Sequence, residues 1–319
     1  MMAEKAIEYK NVRKIFEGNE KDSVKNVSLS IEEGAFVTIL GTSGSGKTTL
    51  LKMTNRIHEL TDGEILFYGK NSKDIPVNEY RRQIGYVIQQ AGLFPHKTIE
   101  ENIATVPKLL KWDKKKTQET VREMLKLVRL DYDTYAKRYP RQLSGGEQQR
   151  VGIARALAVS PKVILMDEPF GAIDAITRRS LQEELIKLHK ELKNTILFVT
   201  HDIFEAILLG EKIIIMDDGE VQQYDTPYNI MMHPANDFVK NLVFSGDPLE
   251  KLKALSVVTG MKKVEDENVN TSVPKIQSDK HMNEALVTML NQGCDSILVV
   301  EDEKILGELR LSTVKKMIS

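Results

Sequence analysis

Apolar residues fall in short strand-like runs at both ends of this chain, with a long stretch at helical spacing between them. Residues 6–12, 23–31 and, after the turn Thr61-Asp62-Gly63, 64–68 read as strands of mixed exposure. Residues 36–40, 163–166, 195–200 and 212–216 are predominantly apolar runs. Such runs predict strands covered on both faces, as in a parallel α/β sheet. Between about 95 and 160 the pattern turns helical, and residues 114–130 carry Val121, Leu125 and Val128 on one face. A helix over 177–192 presents Leu181, Leu185, Leu188 and Leu192, a stripe expected to pack on the sheet. After Pro248 the composition becomes charged and mixed, predicting a connecting helix and linker. A compact strand–helix–strand–strand–helix unit follows, with a strand at 274–276, a helix at 282–291, strands at 296–300 and 305–309, and a helix from Ser312. The expected division is a domain over 1–245, a linker over 246–270 and a small α/β module over 271–319.

Chemistry enters where the first apolar run ends. Gly41-Thr42-Ser43-Gly44-Ser45-Gly46-Lys47-Thr48 has the spacing G-x-x-x-x-G-K-[ST] between a predicted strand and a predicted helix. Its glycines let successive N–H groups turn inward toward an anion, at the positive end of the helix that follows. Lys47 is placed to reach terminal phosphates and the Thr48 hydroxyl to bind Mg²⁺, with Thr49 closing the nucleotide-binding set. A Gly/Ser-rich surface turn would not bring strand, spacing, Lys and Thr together.

In parallel sheets, ligand sites lie beyond the carboxyl ends of strands, and three more strand ends carry polar groups. Residues 84–88 end in Gln89, 163–166 in Asp167-Glu168, and 195–200 in His201. Asp167 suits Mg²⁺ held through its water shell. Glu168 is placed to orient or deprotonate an attacking water. Gln89 can bond Mg²⁺ or that water through its amide, and His201 is a candidate γ-phosphate contact. Further along, Leu143-Ser144-Gly145-Gly146-Glu147-Gln148-Gln149-Arg150 opens a helix. Ser144 fits the N-cap and Glu147 the acidic position of a capping box, with Gly145 and Gly146 baring the first-turn N–H groups.

Bulk properties narrow the class. The 319 residues are long for one core. The net charge of -1 gives no basic field for nucleic acid and no polybasic membrane anchor. The Lys114-Lys115-Lys116 cluster reads as a solvated helix face. A single cysteine, Cys294, permits no intrachain disulfide, and the six histidines are scattered without metal-ligand spacing. The first residues lack the apolar core of a signal peptide, and no apolar run approaches the ~18 residues of a membrane span.

The phosphate loop, Gln89, the Ser144 octet, Asp167-Glu168, Ala172-Ile173-Asp174 and His201, in this order, resemble the ATPase subunit of ATP-binding cassette (ABC) transporters over about residues 5–245. The resemblance implies a P-loop NTPase fold with a RecA-like core, an antiparallel β subdomain and a helical subdomain. It implies ATP and Mg²⁺ as cofactors, and a head-to-tail homodimer in which Ser144, Gly145, Gly146 and Glu147 cover ATP held by the other protomer. It further implies that Asp174 joins the two sites and that Phe16 stacks on adenine, with core packing the alternative for Phe16.

The segment 89–96 matches the part of that family that receives a permease. Residues 106–112, 167–172 and 234–239 look like the ATPases of quaternary-amine uptake systems for glycine betaine, carnitine, choline and similar osmoprotectants. Membrane-spanning permease subunits, an extracellular substrate-binding protein and a place on the cytoplasmic face of the cell membrane follow from that resemblance. The tail resembles a single CBS module where that branch carries a pair, leaving open a nucleotide- or ionic-strength-sensing module or a dimerisation unit without ligand. Competing readings are an ABC protein acting on ribosome or DNA, disfavoured by one cassette and no basic excess, a stand-alone nucleotide sensor, or an importer subunit for another solute such as an amino acid.

Overall fold

The computed structural model describes residues 4–18, 21–89, 92–244, 252–253, 255–263, 273–302 and 304–318. The chain divides into two compact units, residues 1–201 with 216–221, and 202–215 with 222–319.

The first unit is built on strands β3 (Phe36–Gly41), β6 (Ile84–Val87), β7 (Val163–Asp167) and β8 (Thr195–Thr200), ordered β3-β8-β7-β6. Every residue of β3, β7 and β8 is buried, the apolar majority together with Thr38, Asp167, Thr195 and Thr200. All three pairings are parallel, and their register aligns the carboxyl ends: Leu40 lies beside Thr200, Val199 beside Asp167, and Met166 beside Val87. A second sheet, antiparallel, runs β2 (Asp22–Glu32), β1 (Lys5–Ile15), β4 (Asp62–Phe67) and β5 (Lys70–Asn71). Helices Ile99–Ile103, Thr105–Leu109, Lys114–Leu127, Tyr132–Tyr135 and Gly145–Leu157 form the helical region. The Lys114–Leu127 helix stops three residues before the expected end, where Arg129 takes a left-handed φ of 56°.

The helix leaving the phosphate loop, Lys47–Thr54, is tied to its surroundings by buried hydroxyls. The Tyr9 and Thr54 hydroxyls share a 2.7 Å hydrogen bond, and the Tyr80 hydroxyl donates to the Thr54 carbonyl. The helix Ala175–Leu192 buries Leu181 and Leu185, which with Leu188 line an apolar space against Met166 and Phe170. The stripe ends there, because Leu192 in the last turn is exposed, contrary to the expectation.

In the second unit, β9 (Lys212–Asp217) and β10 (Glu220–Asp225) are strands that continue across the division of the chain. Its C-terminal sheet has the order β11 (Lys262–Lys263), β14 (Lys304–Arg310), β13 (Ser296–Glu301), β12 (Lys275–Gln277), with helices Met282–Gln292 and Leu311–Ile318. This is the expected strand–helix–strand–strand–helix unit, enlarged. Of the stretch expected as linker, residues 246–251, 254 and 264–270 lie outside the described residues. The helix Val257–Gly260 and β11 belong to the folded unit instead: β11 pairs with β14, and a Cβ on Gly307 would lie 2.5 Å from the Lys262 carbonyl oxygen.

Replacing Tyr80 with Phe removes the donor to a buried carbonyl. Urea unfolding of Tyr80→Phe is expected to show a loss of about 1–2 kcal/mol with the fold retained.

Candidate nucleotide site

The aligned strand ends bring the predicted groups together. β3 hands over to the loop 41–48, whose last turn is set by Gly46 at φ 97°. A Cβ there would lie 2.4 Å from the Ser23 carbonyl oxygen, so the loop closes onto β2 only with glycine. Ser23 Oγ also shares a 3.0 Å hydrogen bond with Thr49 Oγ1. Lys47 is buried under the loop, its Nζ donating to the Gly41 and Thr42 carbonyls at 2.8 Å each. Burial lowers its pKa, and the nearby Glu168 and Asp167 carboxylates oppose that shift. Ser45 Oγ is buried with no hydrogen-bond partner among the described residues.

Asp167 ends β7 almost fully buried, and Thr48 Oγ1 donates to its Oδ1 at 2.8 Å. Desolvation raises the Asp167 pKa, chiefly against the Thr48 hydrogen bond and the Lys52 charge. A hydroxyl beside a desolvated carboxylate is an oxygen pair suited to Mg²⁺, which takes one or two protein oxygens and keeps its waters. An orphaned hydroxyl, a buried ammonium and a glycine-lined loop at the helix start likewise fit a polyphosphate.

Glu168 follows in a left-handed conformation, φ 44°, uncommon outside glycine. Two hydrogen bonds hold it there: its N–H donates to the Val199 carbonyl at 3.1 Å, and its carbonyl accepts from Gly171 N–H at 3.2 Å. Its Oε2 lies 3.2 Å from Gln89 Nε2 and 3.4 Å from His201 Nδ1. Two side chains from two neighbouring strand ends thus converge on one carboxylate oxygen, with Gln89 and His201 open to solvent.

Gln149, which the sequence reading left without a role, is buried and donates from Nε2 to the Ile88 carbonyl at 3.2 Å. Arg155 on the same helix donates to the Gly92 carbonyl at 2.9 Å, so the helix Gly145–Leu157 holds the chain on both sides of Gln89. The signal was a glutamine at helical spacing from the buried Ile153 and Ala156. Gln90 and Ala91 lie outside the described residues.

Ser144 caps that helix, its Oγ accepting from Glu147 N–H at 3.3 Å. The Glu147 carboxylate accepts from Ser144 N–H and from the Tyr135 hydroxyl, both at 2.7 Å. Both Glu147 oxygens are therefore spent within the chain, which makes Glu147 a holder of the helix tip. Gly145 has open space around it, whereas a Cβ on Gly146 would lie 3.1 Å from the Ala172 carbonyl oxygen. Asp174 caps the helix Ala175–Leu192 through Thr177 N–H at 3.0 Å, which lowers its pKa. Among the described residues, no hydrogen bond or ion pair joins Ser144, Gly145 or Gly146 to the loop 41–49.

Phe16 is half-exposed and not part of the core. It follows the Ile15–Asp22 pair that closes the β1–β2 ladder, next to Ser23 at the phosphate loop. The His58 ring meets it edge-on at 5.1 Å and Lys14 Nζ stands 5.0 Å from its centroid.

Fold and site define a P-loop ATPase, and the comparisons agree. Residues 24–171 match the family model described as ABC transporter. The choline transport ATP-binding protein OpuBA of Bacillus subtilis is 48% identical over 296 residues, covering 93% of this chain and 76% of that one. The carnitine transport ATP-binding protein OpuCA of Listeria monocytogenes is 47% identical over 303 residues, 94% and 73% of the two chains. A bacterial ABC transporter cassette solved as a dimer superposes with TM-score 0.64 at 39% identity, over 69% of this chain and 98% of that one. A cassette of the same kind was solved with ADP and phosphate, with TM-score 0.64 and 38% identity, over 69% and 98% of the two chains. The chain belongs to the ATP-binding subunits of ABC transporters. It hydrolyses ATP with Mg²⁺, dimerises and works with membrane permease components.

Replacing Glu147 with Ala removes two acceptor oxygens from the Ser144 cap. The expected loss is about 1–2 kcal/mol in urea unfolding, with Tyr135→Phe costing less and ATP still binding at the chain's own loop.

Proposed function

We propose that Glu168 is the base that receives a proton from the water attacking ATP. The convergence of Gln89 and His201 on its Oε2, beside the Thr48–Asp167 pair, carries this reading. Gly41, Thr42, Ser43, Gly44, Ser45, Gly46, Lys47, Thr48 and Thr49 would hold the phosphates, while Thr48, Asp167 and Gln89 would hold Mg²⁺. The bound nucleotide supplies the phosphoryl group and the metal neutralises its charge. The chain's own task is to fix the water against Glu168. Gln89 and His201 orient the carboxylate, and His201 contacts the terminal phosphate. Phe16 would stack on the adenine ring.

A positive helix tip with its N–H groups bared by Gly145 and Gly146 binds anions, yet no described contact joins it to the loop of its own chain. The tip and Asp174 are assigned to nucleotide held by a second copy, in a head-to-tail dimer. Solved dimers of similar cassettes support that arrangement. The permease is assigned to the groove lined by Arg81, Arg82, Tyr86, Phe94, Val106 and Arg155, next to Gln89 in the chain. The relatives' names, for choline and carnitine transport, support uptake of a quaternary-ammonium osmoprotectant at the cytoplasmic face, with an extracellular binding protein delivering it. Among the described residues, no helix is long and apolar enough to cross a membrane. Within this reading, residues 1–245 are the ATPase domain and 271–319 a CBS-like module, with a nucleotide or ionic strength as its candidate signal and a dimerisation unit without ligand as the alternative.

Glu168→Gln is expected to keep ATP affinity, lose roughly 10²–10⁴-fold in turnover and accumulate as an ATP-bound dimer in size-exclusion chromatography. Turnover near the parent rate removes Glu168 from the role of base. Ser144→Arg is expected to leave nucleotide binding to the monomer intact while abolishing that dimer, and a normal ATP-dependent dimer would refute the assignment to the second copy.

A further inference from the structure

The summed charge of -1 conceals a strongly basic stretch. Residues 108–116 read Lys-Leu-Leu-Lys-Trp-Asp-Lys-Lys-Lys, five lysines against one aspartate. All five lysines are exposed. Leu109 is 65% exposed, far outside the range of a packed leucine. Trp112 is half-exposed, with Lys116 Nζ 3.9 Å from its ring centroid. Asp113 is spent as the N-cap of the helix Lys114–Leu127, accepting from Lys116 N–H at 2.8 Å. Lys114, Lys115 and Lys116 then fill the first turn, which holds no acidic residue. Cations at that end oppose the helix dipole, so this placement works against the helix's own stability. The reading of the cluster as a merely solvated face leaves both that cost and the exposed leucine unexplained.

From this combination of lysine ammoniums with an exposed leucine and tryptophan, we infer that residues 108–116 bind the surface of an anionic phospholipid bilayer. The lysines meet headgroup phosphates, while Leu109 and Trp112 enter the boundary between headgroups and acyl chains. The short helix Thr105–Leu109 gives the patch its direction. Its Thr105 and Val106 line the groove assigned above to the permease, and its Lys108 and Leu109 stand exposed. A permease seated in the groove would hold the patch beside the membrane, and to that extent the inference rests on the proposed function. A phosphate-binding surface on the helical region would add lipid charge, and its screening by salt, to whatever the permease contributes to membrane attachment.

Trp112 is the only tryptophan, so its fluorescence reports on this patch alone. The full chain is mixed at low salt with vesicles of equal parts phosphatidylglycerol and phosphatidylcholine, or of phosphatidylcholine alone, with and without brominated acyl chains. Trp112 emission is expected to shift to the blue and be quenched by brominated lipid in the phosphatidylglycerol vesicles only, both effects fading as salt is raised. The combined change Lys114→Glu, Lys115→Glu, Lys116→Glu should lower partitioning by at least roughly a hundredfold, at about fivefold per lysine, while ATP turnover in solution stays at the parent rate. An unchanged Trp112 spectrum overturns the inference, as does equal binding by the triple variant, vesicle binding without quenching, or a response to heparin but not to phosphatidylglycerol. No permease is present in this test, so its failure leaves the permease assignment standing, and that assignment is checked separately by co-purification.

Discussion

The parallel register of four strands is the constraint on which this site rests. Leu40 beside Thr200, Val199 beside Asp167 and Met166 beside Val87 bring four loops out of the sheet at nearly one level. Each loop carries a different chemistry: a glycine cradle with a lysine, an acidic pair, a histidine and a glutamine. A slip of one residue in any pairing would turn that strand's side chains to the opposite face and move its terminal group away from Glu168. Close packing on both faces of β3, β7 and β8 resists such a slip, because side chains of different size would exchange places in a filled core. The site is therefore held by the core beneath it, and the left-handed Glu168 is kept in place by one hydrogen bond to that same sheet and one from the turn that follows.

The helix Gly145–Leu157 connects that site to the other half of the machinery. Its tip is shaped by the Ser144–Glu147 cap and braced by Tyr135. Its body holds Ile88 and Gly92 on either side of Gln89 through Gln149 and Arg155. A displacement of the helix would be felt at Gln89, and through Gln89 at Glu168. On the proposed function, contact of the tip with nucleotide on a second copy and contact of the groove with a permease would act on one helix, which would let hydrolysis and transport share a common state.

What the sequence made legible was local or periodic. The phosphate loop is recognisable because its chemistry lies in eight consecutive residues, and Asp167, Glu168 and His201 because each follows an apolar run. Groups held by distant partners were not legible. Gln149 meets Ile88, Tyr135 meets Glu147, and Tyr9 meets Thr54 across separations that no spacing rule spans. His58 beside Phe16 belongs with these. Helix ends shifted where a single left-handed residue such as Arg129 decides them. Leu192 kept the period of its stripe but ran past the surface it packs on. The stretch 257–263 looked like linker because its charged residues face water while two short pairings secure it to β14. Lys114, Lys115 and Lys116 were legible as a cluster, but the exposure of Leu109 and Trp112 beside them was not, because burial is a property of the fold.

The central claim is that one chain's loop and another's Ser-Gly-Gly tip make a single catalytic site. ATP turnover per chain, measured across a dilution series with the dimer fraction followed by analytical ultracentrifugation, tests it most directly. Turnover is expected to track the dimer and to fall toward zero as the chains separate. Turnover per chain that stays constant when only monomers remain would contradict it.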